Sequence, residues 1–380
     1  MCILYSAPFL EISGYSTASR DYLKALYNNG IRVYTIPMRY YLGDTLGLLN
    51  NDDVRLVNNL KYFEDLYPIE KCVFINHATP NALDPFILQL MKRTKKRILF
   101  SVWETSHIPK EFISYLENYD MILTASEFSK NAFLSTKSDL NIQVIPHVIH
   151  NYMNETIQPN QQLLELKNKG KFIFFASLEW HIGKGYDILL RGFLETFAGN
   201  SNVILILKTY NLSQVNYKES VLNYIRSLKK ELNITLPQII PIIGNSTNKE
   251  ILSLYASANA YISTSRREGF CLTASEAFGF GIPIIAPDKG GQTEFLNKDN
   301  SILIKSSWKD VSRLESERSL YYGQQWIESD LEDFKKKLKW LYKDYDLISH
   351  QIKSFINKDI EKFSEKEISS KFSKFLLTFD

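Results

Sequence analysis

Apolar and polar positions along this 380-residue chain alternate in blocks rather than residue by residue. Short apolar runs, Cys2–Ala7, Lys71–Ile75, Arg97–Val102, Met121–Thr124 and Ile142–Ile145, are separated by longer amphipathic stretches such as the one carrying Tyr22, Leu23 and Leu26. A strand that is apolar on both faces predicts burial on both faces, and so a parallel sheet covered by helices. The pattern pauses at Pro146-His147-Val148-Ile149-His150 and resumes with Phe172–Phe175, Val203–Leu207, Ile239–Ile243, Tyr261–Ser263 and Ile282–Ala286. This predicts two doubly wound α/β halves that meet near residue 150, each holding ligands outside the carboxyl ends of its strands. The polar stretch Asn151–Asn168 reads as the linker between them, and no repeat of solenoid length is present.

Composition changes this picture little. A hydrophobic fraction of 44% with 23% charged residues is ordinary for a globular chain, and the length suits two domains. The charge balance of 45 basic against 42 acidic residues, net +3, argues against a dedicated nucleic-acid binder. Cys2, Cys72 and Cys271 form no CxxC pair and no even-numbered set, which predicts a reducing, cytoplasmic setting. No basic region followed by a long apolar run opens the chain, and no stretch approaches a membrane span.

The densest chemistry lies in Ser265-Arg-Arg-Glu-Gly-Phe-Cys-Leu-Thr-Ala-Ser-Glu-Ala-Phe-Gly-Phe-Gly-Ile-Pro283, where Glu268 and Glu276 stand eight positions apart across a predicted loop-to-helix junction. A helix from Leu272 to Phe280, stopped by Gly281 and Pro283, leaves the amides of about Gly269, Phe270, Cys271 and Leu272 as unpaired donors suited to an anion. Glu-x7-Glu followed by Ala-Phe-Gly-x-Gly-x-Pro resembles the donor-site motif of retaining GT-B glycosyltransferases of the family 4 type, the glycosyl transferases group 1. The resemblance implies two Rossmann-like domains facing a central cleft: an acceptor-side domain over residues 1–150, and a nucleotide-sugar domain over 151–355. The segments Tyr322–Glu328 and Phe363–Ile368 resemble the C-terminal region of one subgroup, which implies that helices from about 356 to 380 cross back to the first domain. It further implies that Glu268 approaches the transferred sugar and Glu276 binds the ribose of a nucleoside diphosphate sugar, with no cofactor and no metal.

Three more segments fit. In Phe172–Leu190 an apolar strand runs into Gly183-Lys184-Gly185 and an amphipathic helix. The family places a lysine of this kind on the diphosphate, which makes Lys184 the catalytic partner of Glu268. Relatives pair that lysine with an arginine five residues earlier or immediately before it, whereas Glu179 and Gly183 stand here, so Arg266 or Arg267 is the expected substitute. Ile282–Phe295 carries Gly290, Gly291 and Gln292 at a turn that lines the sugar pocket in the family. Ala7–Leu26 resembles the family's N-terminal glycine loop, with Gly14 facing the cleft. Trp103-Glu104-Thr105-Ser106-His107 resembles the subgroup with Trp-Glu-Thr, placing Glu104 or His107 on the acceptor side.

The remaining signals are thinner. Asp344-Tyr345-Asp346 is a formal DxD, but in a charge-rich helical stretch its two carboxylates point apart. The six histidines show no compact ligand spacing, and His77 reads as a satisfied loop histidine. Lys92–Arg97 and Lys335–Trp340 leave open a peripheral contact with the inner face of an anionic membrane. The expected function is transfer of a hexose-like group from a nucleotide sugar to a hydroxyl acceptor, a glycan, lipid or protein. A non-catalytic or partner-dependent nucleotide-sugar or glycan binder, and a nucleotide-sugar epimerase or hydrolase, stay open at this point.

Overall fold

The computed structural model describes residues 2–39, 46–63, 68–211, 217–313, 315 and 319–379. They divide into two units, residues 1–148 with 361–380, and residues 149–360.

In the first unit Cys2–Ala7 (β1) is buried at every position, as an apolar strand sandwiched between helices must be. It is joined by Arg32–Pro37 (β2), Cys72–His77 (β3), Lys96–Phe100 (β4), Met121–Thr124 (β5) and Ile142–Val144 (β6) in a parallel sheet ordered β2-β1-β3-β4-β5-β6. The helix Gly14–Asn28 starts where the Ser13 side chain accepts from the Ser16 amide, and buries Tyr22, Leu23 and Leu26 against the sheet. The helix Glu365–Leu377 fills the same core with Ile368, Phe372, Phe375 and Leu376, and Ser369 Oγ donates to Ala25 O at 2.9 Å. At the centre Tyr22 Oη donates to the carbonyls of Ile145 and Pro146, and His147 Nδ1 lies 3.2 Å from the same oxygen. His77 is therefore a strand-end residue, fully buried, with Tyr5 Oη 2.8 Å from its Nδ1.

The second unit repeats the scheme with Phe172–Glu179 (β7), Val203–Tyr210 (β8), Gln238–Ile243 (β9), Ala260–Ile262 (β10), Ile284–Pro287 (β11) and Ile302–Ile304 (β12), ordered β12-β11-β10-β7-β8-β9 and parallel throughout. The order reverses between β7 and β10, so the loops after these two strands diverge to opposite faces and leave a crevice at their carboxyl ends. Ser306–Asp310 (β13) and Gln325–Ser329 (β14) form a separate antiparallel pair.

Sequence pattern found the buried strands and missed β2, β12 and the β13–β14 pair, whose runs are short or mixed. The polar stretch Asn151–Asn168 lies inside the second unit and is not linker throughout, since it ends in a helix, Gln161–Asn168, started by the Asn160 side chain on the Leu163 amide.

Close backbone approaches tie the crevice loops together. A Cβ on Gly185, whose φ is +67°, would meet Thr264 O at 2.0 Å, and a Cβ on Gly291 would meet the Gly269 carbonyl carbon and oxygen at 2.1 Å. Gly291 N also donates to Glu268 O at 2.9 Å. Since the opposing atoms are backbone, Gly291→Ala should destabilise the protein by about 2 kcal/mol or more in urea unfolding; a smaller change would show that the two loops can move apart.

Burial pushes His147 down to about 3, with Asp21 opposing, and holds His77 well below the ordinary histidine range. The folded state keeps His147 neutral while the unfolded chain takes up its proton near pH 6.5, so its stability contribution is complete above about pH 6.5 and is lost as pH falls toward 3. Thermal unfolding between pH 7 and 4 should therefore show a flatter acid limb in His147→Gln than in the unaltered protein; parallel limbs would contradict this.

Candidate active site

Two loops build the site, one after β7 and one after β10. The first turns tightly through Ile182–Lys184, passes the left-handed Gly185 and enters the helix Tyr186–Thr196. Its reversal in so few residues needs the positive φ that glycine adopts without strain. Thr264 Oγ1 donates to Gly185 O at 2.8 Å and Arg266 N to Gly183 O at 2.9 Å, so the second loop is laced to the first. The product is a contact between residues 84 positions apart: Lys184 Nζ lies 2.9 Å from Glu268 Oε1 and 3.0 Å from Arg267 O. Both side chains are mostly withdrawn from solvent, each retaining 16% exposure, which makes the pair stronger than one in open water. A small pocket beside them is lined by Ser177, Lys184, Tyr261, Ser265, Glu268 and Thr273, among others.

Cys271 follows at φ 71° and ψ 70°, left-handed for a residue with a Cβ, and acts as the N-cap of the helix Leu272–Gly279. This costs on the order of 1–2 kcal/mol, and such strain concentrates at functional sites. No side chain caps that helix. Burial and then the Glu268 charge push the Cys271 thiol up to about 12, so it is a neutral wall of the site and no nucleophile. Under the helix start, Tyr261 Oη donates to Thr273 Oγ1 at 2.8 Å and Tyr255 Oη to Thr273 O at 2.7 Å. Both phenols are held far above their ordinary range by burial, with the Glu276 charge contributing at each. Glu276 thus sits one turn into the helix near Tyr255.

The two arginines part ways. Arg266 turns its guanidinium inward, to Asp187 at 2.6 and 2.8 Å, to Glu328 on β14 at 2.5 Å and to Ile182 O at 2.8 Å, with Trp326 5.3 Å from its centre. Burial alone would lower it, but hydrogen bonds to the two carboxylates hold it well above the usual arginine value. It serves as the internal tie between the two loops and the β13–β14 pair. Arg267 instead fills the space beside Gly183: a Cβ there would lie 2.1 Å from Arg267 Nε. Its Nη2 donates to His181 Nδ1 at 3.1 Å and its plane stacks 4.0 Å from the Tyr321 ring. A guanidinium thus stands where the sequence lacks one.

Phe270 is buried against Phe295, and Gly290, at φ 111°, begins the turn in which Gln292 is buried and donates to Pro287 O and Lys289 O. Gly14, Glu104 and His107 belong to the first unit. Gly14 is the first residue of its helix, and His107 Nδ1 lies 2.9 Å from Ser106 Oγ. The Asp344–Asp346 pair falls where one helix ends at Lys343 and the next begins at Tyr345. Among the described residues no group of three His, Cys, Asp or Glu could hold a metal, and no helix is long and apolar enough to cross a membrane. Of the two basic segments, Arg97 is tied to Asp120 and Lys335 to Glu195 and Glu332, while Trp340 is 47% exposed. Sequence reasoning missed Tyr261, Thr273 and Asp187, which act through contacts that no local spacing encodes.

Residues 157–315 match the family described as glycosyl transferases group 1. Among curated proteins the chain is 27% identical over 222 residues to uncharacterized protein 356 of Sulfolobus islandicus rod-shaped virus 1, covering 55% of this chain and 56% of that one. A 61-residue stretch is 33% identical to a GDP-mannose-dependent alpha-mannosyltransferase of Mycobacterium tuberculosis, covering 16% of each. The chain thus spans about half the length of the viral relative and a small part of the bacterial one. Among solved structures, sucrose-phosphate synthase from Thermosynechococcus elongatus superimposes with a TM-score of 0.67 at 13% identity, covering 100% of this chain and 98% of that one. The Anabaena protein HepE in complex with UDP-glucose does so with a TM-score of 0.66 at 11% identity over 100% of both chains. Residues 157–315 thus resemble the glycosyl transferases group 1, and the two parallel-sheet units have the fold of the GT-B glycosyltransferases.

Proposed function

We propose that this chain is a retaining glycosyltransferase of the family 4 type, transferring a hexose-like group from a nucleoside diphosphate sugar to a hydroxyl of a glycan, lipid or protein acceptor. The observation that carries this reading is the Lys184–Glu268 contact at the carboxyl ends of β7 and β10, the point in a doubly wound sheet where ligands bind. Relatives point the same way, since one is GDP-mannose-dependent and HepE was crystallised with UDP-glucose.

Cleavage of the donor's anomeric C–O bond leaves negative charge on the departing diphosphate. Lys184 Nζ and the first-turn amides of the Leu272–Gly279 helix meet that charge, and Arg267 adds a guanidinium from beside Gly183. Fixed donors of this type cost no reorganisation during reaction and take the place of a metal in this mechanism. Glu268 holds hydroxyls of the sugar next to the cationic anomeric centre, and Glu276 fixes the ribose. The wall of buried Tyr261 and Cys271, with Thr273 bonded to Tyr261, keeps these groups in place and keeps water away from them.

The test is incubation with UDP- and GDP-sugars and glycan, lipid and peptide acceptors, with the product's mass and anomeric configuration read by mass spectrometry and NMR. Lys184→Ala should lower kcat about 100-fold, and Glu276→Ala should raise the Kd for the nucleoside diphosphate about tenfold. Unchanged kinetics in both would overturn the site, and donor binding without turnover on any acceptor would favour a non-catalytic nucleotide-sugar binder, the reading suggested by Glu179 and Gly183 in the places of the usual arginine.

A further inference from the structure

Two cysteines that look unrelated in the sequence are neighbours in the first sheet. Cys2 opens β1, Cys72 opens β3, and the parallel register of these adjacent strands sets the one opposite the other. On its far side Cys2 is opposite Arg32, the first residue of β2. Residues in register on parallel strands point to one face, so an arginine and two cysteines form a row at the amino end of the sheet. Adjacent strands lie about 4.8 Å apart, within the Cα separation of about 4.4–6.8 Å that a disulfide spans, and the two Cβ atoms leave the sheet in the same direction. The thiols are already in contact: Cys72 hydrogen-bonds to Cys2 and also reaches the Pro68 carbonyl, at 3.7 Å. Both side chains are buried, but the row is the outermost of the sheet, and Arg32 and Lys71 beside it are exposed. Fraying at the strand ends is enough to admit a small reagent.

The two thiols are unequal. The hydrogen bond from Cys72 lowers Cys2 despite its burial, and the Arg32 charge helps. The same bond, then burial, holds Cys72 far above the ordinary thiol range, with the charges of Cys2 and Glu70 in support. A thiol that ionises readily beside one that keeps its proton, with a cation next to them, is the setting in which cysteines react with oxidants. Cys271 differs on each count: it belongs to the second unit, and burial and the Glu268 charge keep it neutral. All three cysteines are free thiols. Disulfides that form in reducing compartments are mostly transient and redox-sensing, so the reducing setting expected from the sequence suits such a pair.

We infer that Cys2 and Cys72 are a modification site of the first unit, a dithiol that a peroxide converts reversibly to a disulfide joining the first residues of β1 and β3. The Cys2 thiolate attacks one oxygen of hydrogen peroxide and the O–O bond breaks. The departing hydroxide takes up the proton that Cys2 had released and leaves as water, and Cys2 becomes a sulfenic acid. The Cys72 sulfur then attacks the Cys2 sulfur, the S–O bond breaks, and the hydroxyl leaves with the Cys72 proton as a second water. One S–S bond and two waters thus replace two thiols and one peroxide: the sulfurs are oxidised and the peroxide oxygens reduced. A thiol reductant returns the dithiol by exchange.

The experiment exposes the folded full chain to excess hydrogen peroxide and reads its intact mass and its peptide map under non-reducing conditions. The chain should lose two hydrogen atoms, the peptides carrying Cys2 and Cys72 should be joined, and dithiothreitol should restore the original mass. Cys271→Ser should behave in the same way, whereas Cys2→Ser and Cys72→Ser should show no such loss. The linked form should also unfold at a higher temperature than the reduced one, because the cross-link joins residues already in contact and restricts the unfolded chain. An unchanged mass, oxygen added to Cys2 without a link, a link that includes Cys271 or a second copy of the chain, or a linked form that melts at or below the reduced one would each overturn the inference. The peptide map of the unaltered protein decides the matter even where a serine variant does not fold.

Discussion

Everything at the candidate site depends on two backbone segments lying closer together than side chains permit. The turn after β7 touches the end of β10 through Gly185, and the turn after β11 touches the loop of Glu268 through Gly291. Neither glycine supplies chemistry. Each removes the one carbon atom that would hold the loops apart, and the hydrogen bonds of Thr264, Arg266 and Gly291 close the gap. Charged groups placed on loops so fixed keep their separations, which is what electrostatic stabilisation of a short-lived charge requires. The left-handed Cys271 belongs to the same constraint, since its backbone is bent to bring Glu268 on one side and the helix start on the other into one pocket.

Two arginines adjacent in sequence have quite different surroundings. Arg266 is consumed by Asp187 and Glu328, an arrangement that binds the first crevice loop, the second crevice loop and the β13–β14 pair to one guanidinium. Losing any partner would leave charge behind in a poorly solvated place. Arg267 faces the other way, held flat by Tyr321 and His181. A chain segment of two residues thus joins the β13–β14 pair to the turn at Gly183.

The sequence made the two sheets legible because strands buried on both faces are written as mostly apolar runs, and β1, β5 and the first five residues of β8 are of that kind. Strand β2 carries Arg32 and Thr35, β12 is three residues long, and β13 with β14 is half polar, so their patterns look like loop. The nearness of Lys184 to Glu268 could be expected because each stands in a glycine-bearing motif after a buried strand. The division between Arg266 and Arg267 could not, because it is decided by partners 62 to 84 positions away.

The first unit is assembled from both the early and the late part of the chain, whereas the second is contiguous from 149 to 360. On a ribosome the second unit can reach its native packing as soon as its own residues have emerged. The first must wait, with the surface meant for Ile368, Phe372 and Phe375 exposed, until the segment Glu365–Leu377 is made. The unit that is begun first is therefore completed last, and a chain cut short after residue 360 would carry a finished second unit joined to a first unit with an open apolar seam.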